Sequence, residues 1–223
     1  MSRFDRDYRR GSRSKAGKEA RGILIVTEGT VTEILYFKHL RDRLRLTKDL
    51  IKVVHGKGTD PENLVKHAIV LREKRNCEAR KQTSDKVSFD EVWCVLDSEG
   101  AERERGIKAA FELADRERIS IALSRPCFEF WLLLHVHFTS SDFPNCDAAT
   151  AVLSQKIPGY KKNAPPMDQL FGAIPIAVKN AEKLRADHNR TGTVSPVTDV
   201  DRLVRVLNET TRPRIQLSLP PCP

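Results

Sequence analysis

No apolar run in this chain of 223 residues is long enough to cross a membrane; the longest, Phe128 to Val136, has the length of a buried helix. No apolar segment follows the charged first 21 residues, so no secretory leader is expected and the protein should be cytoplasmic. Cysteines are few and odd in number: Cys77, Cys94, Cys127, Cys146 and Cys222, with no CxxC pair among them. That spacing predicts neither a zinc site nor a disulfide framework. Cys94 and Cys127 lie inside apolar runs and read as small core residues. Gly56-Lys57-Gly58 lacks the Gly-Lys-Ser/Thr that completes a phosphate loop, which argues against ATP binding by this chain. No internal repeat is present.

What the chain does have is charge. Its net charge is +9 with a sequence pI near 9.5, and 39% of residues are hydrophobic. This suits one soluble domain with an appendage. Residues 1–21 hold eight Lys/Arg against three Asp/Glu and supply +5 of the charge. They contain too little apolar surface to pack and are expected to form a disordered basic tail. Two explanations fit such a tail: a polyanion partner such as nucleic acid, or simple solvation.

Ile23 to Leu40, ILIVTEGTVTEILYFKHL, organises the rest. A β-branched strand, Gly22 to Thr27, runs into Glu28-Gly29 and then into an amphipathic helix. Thr30-Val31-Thr32-Glu33 reads as a capping box, with Thr30 capping and Glu33 reaching back. Further strands are expected at Ile51 to His55, Glu91 to Leu96 and Ile119 to Leu123. Helices are expected from Asp60-Pro61-Glu62 onward and from Ala101 to Arg118. This β-α alternation over residues 22–124 predicts an α/β fold with a mainly parallel sheet flanked by helices on both faces. Beyond it, helices are expected at Pro126 to His137, Asp147 to Gln155, Met167 to Ala186 and Thr198 to Asn208. The expected division is a core over 22–137, a C-terminal helical extension over 138–209, and a loose end over 210–223.

Two strands end in acids, Glu28 and the pair Asp97-x-Glu99, and parallel strands deliver such ends to one edge. If those strands are neighbours, three carboxylates converge, and a hard divalent cation such as Mg²⁺ is the natural counter-ion. The alternative is that strand ends are polar because loops are solvated, with acids suiting the helix starts that follow.

These residues carry a resemblance. Glu28-Gly29, Thr32-Glu33 and Tyr36-Phe37, with a later strand ending in Asp-x-acid, are similar to the Toprim metal-binding fold. More closely, EGTVTEILYF, VWCVLDSEG, SRPCFEFWLLLHVHF, Tyr160-Lys161-Lys162 and SPVTDVDRLVRVL resemble the RloB-like family in order, from about residue 22 to 208. The resemblance implies a Toprim-like core and Mg²⁺- or Mn²⁺-dependent cleavage of DNA or RNA phosphodiesters. It also implies a phage-defence or restriction-linked setting and work beside a partner ATPase, with self-association left open. The metal ligands it implies are Glu28, Asp97 and Glu99. The family carries two aspartates where this chain has Asp97-Ser98-Glu99, and this departure favours a second reading, a non-catalytic nucleic-acid-binding or regulatory subunit.

Five further candidates complete the set. Glu129 sits in a dry apolar run, where a lone carboxylate is costly, and is expected to face the site, completing a second cation position. The competing account is a helix-start acid answering the backbone dipole. Glu33 is explained by the capping box, with an outer role at the site as the alternative. His135 could reach the site edge two turns beyond Glu129 or sit satisfied in the core. Lys161 with Lys162, and Arg125 after the fourth strand, could meet phosphate or simply be solvated.

Overall fold

The computed structural model describes residues 21–56, 60–81, 84–98, 103–210 and 217. The basic tail up to residue 20, Lys57-Gly58, Glu99-Gly100 and nearly all of the loose end therefore lie outside the described residues.

Strand β1 (Gly22–Thr27) is buried at every position because it sits in the middle of the sheet. Its partners are β2 (Ile51–His55) on one side and β3 (Phe89–Asp97) on the other, both parallel. β4 (Ser120–Arg125) pairs parallel with β3, giving the order β2-β1-β3-β4-β5. The last strand, β5 (Val197–Thr198), is antiparallel and takes the start of the helix expected from Thr198, which begins instead at Val200. Two residues are too few to show a periodicity.

Alternation along β1 divides the core in two. Ile23 and Ile25 face one hydrophobic cluster, Leu24 and Val26 the other. Helices α2 (Pro61–Ala79) and α3 (Glu104–Glu117) cover the second face through Leu64, Val65, Ala68, Ala110 and Ala114. The first face takes α1 (Thr32–Arg43), α4 (Phe128–Leu133), α5 (Cys146–Lys156), α6 (Met167–Gly172), α7 (Ile174–Thr191) and α8 (Val200–Glu209). The expected α/β fold with a mainly parallel, helix-flanked sheet is what forms.

Local chemistry explains where elements start and stop. Asp60 caps α2, its Oδ1 accepting from the Asn63 N–H at 2.9 Å, with Pro61 in the first turn. The single helix expected over Met167 to Ala186 is two: α6 ends at Gly172, and Pro175 opens α7. The helix expected over Pro126 to His137 is shorter, ending at Leu133 in a turn. Tyr36 is fully buried and holds the first face together. Its ring meets Phe37, Phe128 and Trp131 edge-on and stacks on Phe171 with centroids 5.3 Å apart. Such aromatic pairs fix α1 against α4.

No helix of the described residues is long and apolar enough to cross a membrane.

Candidate active site

Tyr36 fixes two acids by packing. Glu33 lies one turn before it on α1, and Glu129 follows Phe128 on α4. Both project into a cleft of about 490 Å³ lined also by Gly29, Thr30, Val31, Thr32, Asp97, Cys146, Asp147, Lys162 and Asn163. The cleft opens at the carboxyl ends of β1 and β3.

The two acid-ended strands, β1 and β3, are neighbours, and they place Glu28 beside Asp97. The Glu28 backbone N–H donates to Val95 O, and the Asp97 N–H donates to Oε2 of Glu28 at 3.3 Å. Oε1 of Glu28 accepts from Arg103 at 2.5 Å. Both carboxylate oxygens of Glu28 are therefore engaged within the chain. Oδ1 of Asp97 is buried and makes no hydrogen bond among the described residues. Burial, then the charges of Glu33, Glu129 and Glu28, push the Asp97 carboxyl well above its usual range, with Arg103 opposing. Glu99 lies outside the described residues.

Glu33 is placed differently from its expectation. The N-cap of α1 is Val31, with no side-chain cap, and the capping box on Thr30 does not form because the helix begins two residues later. The Glu33 carboxylate instead turns onto the backbone N–H groups of Gly29 and of Glu33 itself. A Cβ on residue 29 would lie 2.0 Å from its oxygens, so glycine makes room for that carboxylate. Burial raises the Glu33 carboxyl to about 7, helped by Glu129 and Glu28 and opposed by the two N–H groups.

This shift has a checkable consequence. An acid raised in the folded chain favours folding most below its unfolded value of 4.5, and that contribution is lost as pH climbs toward about 7. Glu33→Gln should leave stability unchanged below that window and raise it by about 2–3 kcal/mol above it. Urea unfolding of both proteins across the range measures this; a difference independent of pH would contradict it.

Glu129 is 4% exposed. Its Oε1 lies 3.6 Å from Lys162 Nζ, and its Oε2 lies 3.3 Å from Cys146 Sγ. Of the lysine pair, both exposed, Lys162 lines the cleft and Lys161 does not. Thr32 draws the lysine segment in, its Oγ1 donating to the Lys162 carbonyl at 2.8 Å. Arg125 stands at the strand edge outside the cleft lining, donating to Ser98 Oγ at 3.1 Å.

His135 does not reach the site. It is 1% exposed, its Nδ1 donates to Trp131 O at 3.0 Å, and its Nε2 accepts from Tyr36 Oη at 3.3 Å. Burial lowers its pKa to about 4, so it stays neutral. The core accommodates it because both ring nitrogens are satisfied.

Cys127 and Cys146 are joined by a disulfide, contrary to the sequence expectation. They are 19 residues apart, and the fold brings them together where α5 starts against the N-cap of α4. Together with Glu129 they form the one group of three potential ligands within 4.8 Å of one another among the described residues. No three of Glu28, Glu33, Asp97 and Glu129 close to that spacing. A set of hard oxygen donors whose charges oppose one another, with one buried oxygen that has no hydrogen-bond partner among the described residues, still fits a hydrated hard cation such as Mg²⁺. That ion takes one or two carboxylates and keeps its waters.

An acid-lined cleft at the carboxyl edge of a mainly parallel sheet defines an α/β protein of the kind that binds ligands at strand ends. The family model of RloB-like proteins matches residues 23–207, and the chain belongs to the RloB-like family. No curated protein and no solved structure matches it.

Proposed function

We propose that the chain is a Toprim-like, Mg²⁺- or Mn²⁺-dependent nuclease that hydrolyses phosphodiesters of DNA or RNA, as the effector of a phage-defence system with a partner ATPase. The observation that carries this reading is the gathering of Glu33, Asp97 and Glu129 in one cleft, with Glu28 beside Asp97 and with the Asp97 Oδ1 making no hydrogen bond among the described residues. Family membership supports it.

Glu28, Asp97 and Glu99 would hold the cation, with Glu129 completing a second position. Bound there, the cation would polarise the phosphate and lower the pKa of a water. Glu33, with a carboxyl near 7, can take or return a proton around neutral pH. Lys162 extends an ammonium into the cleft, where it can meet a phosphate oxygen. Arg103 holds Glu28 in place of a cation and must yield when one binds.

That engagement of Glu28, with the Asp97-Ser98-Glu99 sequence, favours a second reading: a non-catalytic subunit that binds nucleic acid or regulates its partner. The two separate on incubation of the full chain with DNA and RNA, Mg²⁺ or Mn²⁺, with and without the partner ATPase. Cleavage that disappears in Glu28→Ala and Asp97→Ala is expected. Cleavage surviving both changes would sink the site, and none under any condition would favour the binding role.

A further inference from the structure

The Cys127–Cys146 bridge is a reactive group that the phosphodiester chemistry does not use, and it borders the cleft. Cys127 is 1% exposed and Cys146 7%, and of the two only Cys146 lines the cleft. An incoming thiolate therefore has one sulfur to attack. The bridge also meets Glu129. While bonded to Cys127, the Cys146 sulfur carries no hydrogen, so the 3.3 Å contact with Glu129 Oε2 is no hydrogen bond. Once reduced, that sulfur has an S–H to donate and, released from Cys127, can turn toward the neighbouring Glu129 Oε2. Lys162, 3.6 Å from Cys146 Sγ and from Glu129 Oε1, stands by in both states.

We propose that Cys127–Cys146 is a redox-active disulfide that controls Glu129: oxidised, it leaves Oε2 free for a cation; reduced, it engages Oε2 through the Cys146 thiol. The reductant is a dithiol. Its thiolate bonds to Cys146 Sγ and breaks the S–S bond, and Cys127 leaves as a thiolate that takes a proton from water. The second thiol of the reductant then attacks the mixed disulfide, releasing Cys146 as a thiol and the reductant as a cyclic disulfide. Two electrons pass to the protein. The effect on cation binding rests on the metal reading above; the reactivity of the bridge and its contact with Glu129 do not.

Three readouts on the full folded chain decide it. Iodoacetamide labelling with peptide mass spectrometry should find Cys127 and Cys146 unlabelled as isolated, Cys146 labelled after dithiothreitol without denaturant, and the enclosed Cys127 labelled only once the reduced chain is unfolded. Labelling before reduction, or a bridge that yields only on unfolding, overturns the proposal. The infrared S–H stretch of Cys146 is isolated as reduced wild type minus reduced Cys146→Ser. It should lie at the lower frequency of a hydrogen-bonded thiol and rise in Glu129→Gln; a band unmoved by that change overturns the link to Glu129. Finally, Mn²⁺ should bind the reduced form roughly fivefold more weakly than the oxidised one, the cost of breaking one hydrogen bond. Equal affinities overturn the control of cation binding. Absence of Mn²⁺ binding in both forms contradicts the metal site itself and not the bridge, which the first two readouts decide alone.

Discussion

Asp97→Asn is expected to lower divalent-dependent cleavage at least about a hundredfold while making the folded chain more stable at neutral pH. The two effects share one cause. Oδ1 of Asp97 is buried without a hydrogen bond among the described residues, and three other carboxylates raise the cost of its charge. Its carboxyl is raised on folding, so its favourable contribution belongs to low pH and is lost as pH rises through the folded value. Asparagine never ionises and so escapes that loss. The same change removes the anionic oxygen that a cation would take. Single-turnover cleavage and urea unfolding report the two halves separately. A variant that keeps the wild-type rate would remove Asp97 from the chemistry. One that is less stable at every pH would show that charge crowding is not the source of the cost.

Arg185→Ala should destabilise the chain by about 3–5 kcal/mol, the largest stability effect of any single change considered. Asp201 is 0% exposed at the start of α8. Arg185 on α7 grips it with two hydrogen bonds, Nη1 to Oδ1 at 2.8 Å and Nη2 to Oδ2 at 2.5 Å. It also donates to the Thr198 carbonyl at 3.1 Å, tying in β5. Removing the guanidinium strands a buried carboxylate, whose desolvation is then uncompensated. The double change Arg185→Leu with Asp201→Leu removes both charges and should recover most of the loss. If Arg185→Ala unfolds at the wild-type urea concentration, the pair does not hold the helical layer to the sheet edge.

The fold was legible where pattern and local chemistry agree. The apolar run Ile23 to Val26, the cap at Asp60 and the acid-terminated β1 and β3 all stand as the sequence implies, and so does the pairing of those two strands. Misreadings came where a local explanation was sufficient by itself. Thr30-x-x-Glu33 has the spacing of a capping box, and that hid a carboxylate whose pKa is raised by burial and by Glu129, a residue distant in sequence. Lys161 and Lys162 cannot be told apart by type; the Thr32 hydroxyl on the Lys162 carbonyl marks the one at the cleft. The Cys127–Cys146 bridge left no signal, since an odd set of cysteines without CxxC says nothing of which two the fold will join. His135 is satisfied by Tyr36 and Trp131, and only the second of those lies within a turn of it.

The central claim is that the acids at the carboxyl edge of β1 and β3 bind a divalent cation. Calorimetric titration of Mn²⁺ into the full oxidised chain, above the folded pKa of Glu33, tests it most directly, alongside Asp97→Ala and Glu28→Ala. The account predicts saturable binding to the wild type, abolished in Asp97→Ala and strongly weakened in Glu28→Ala. No binding by the wild type, or equal binding by all three proteins, would contradict it.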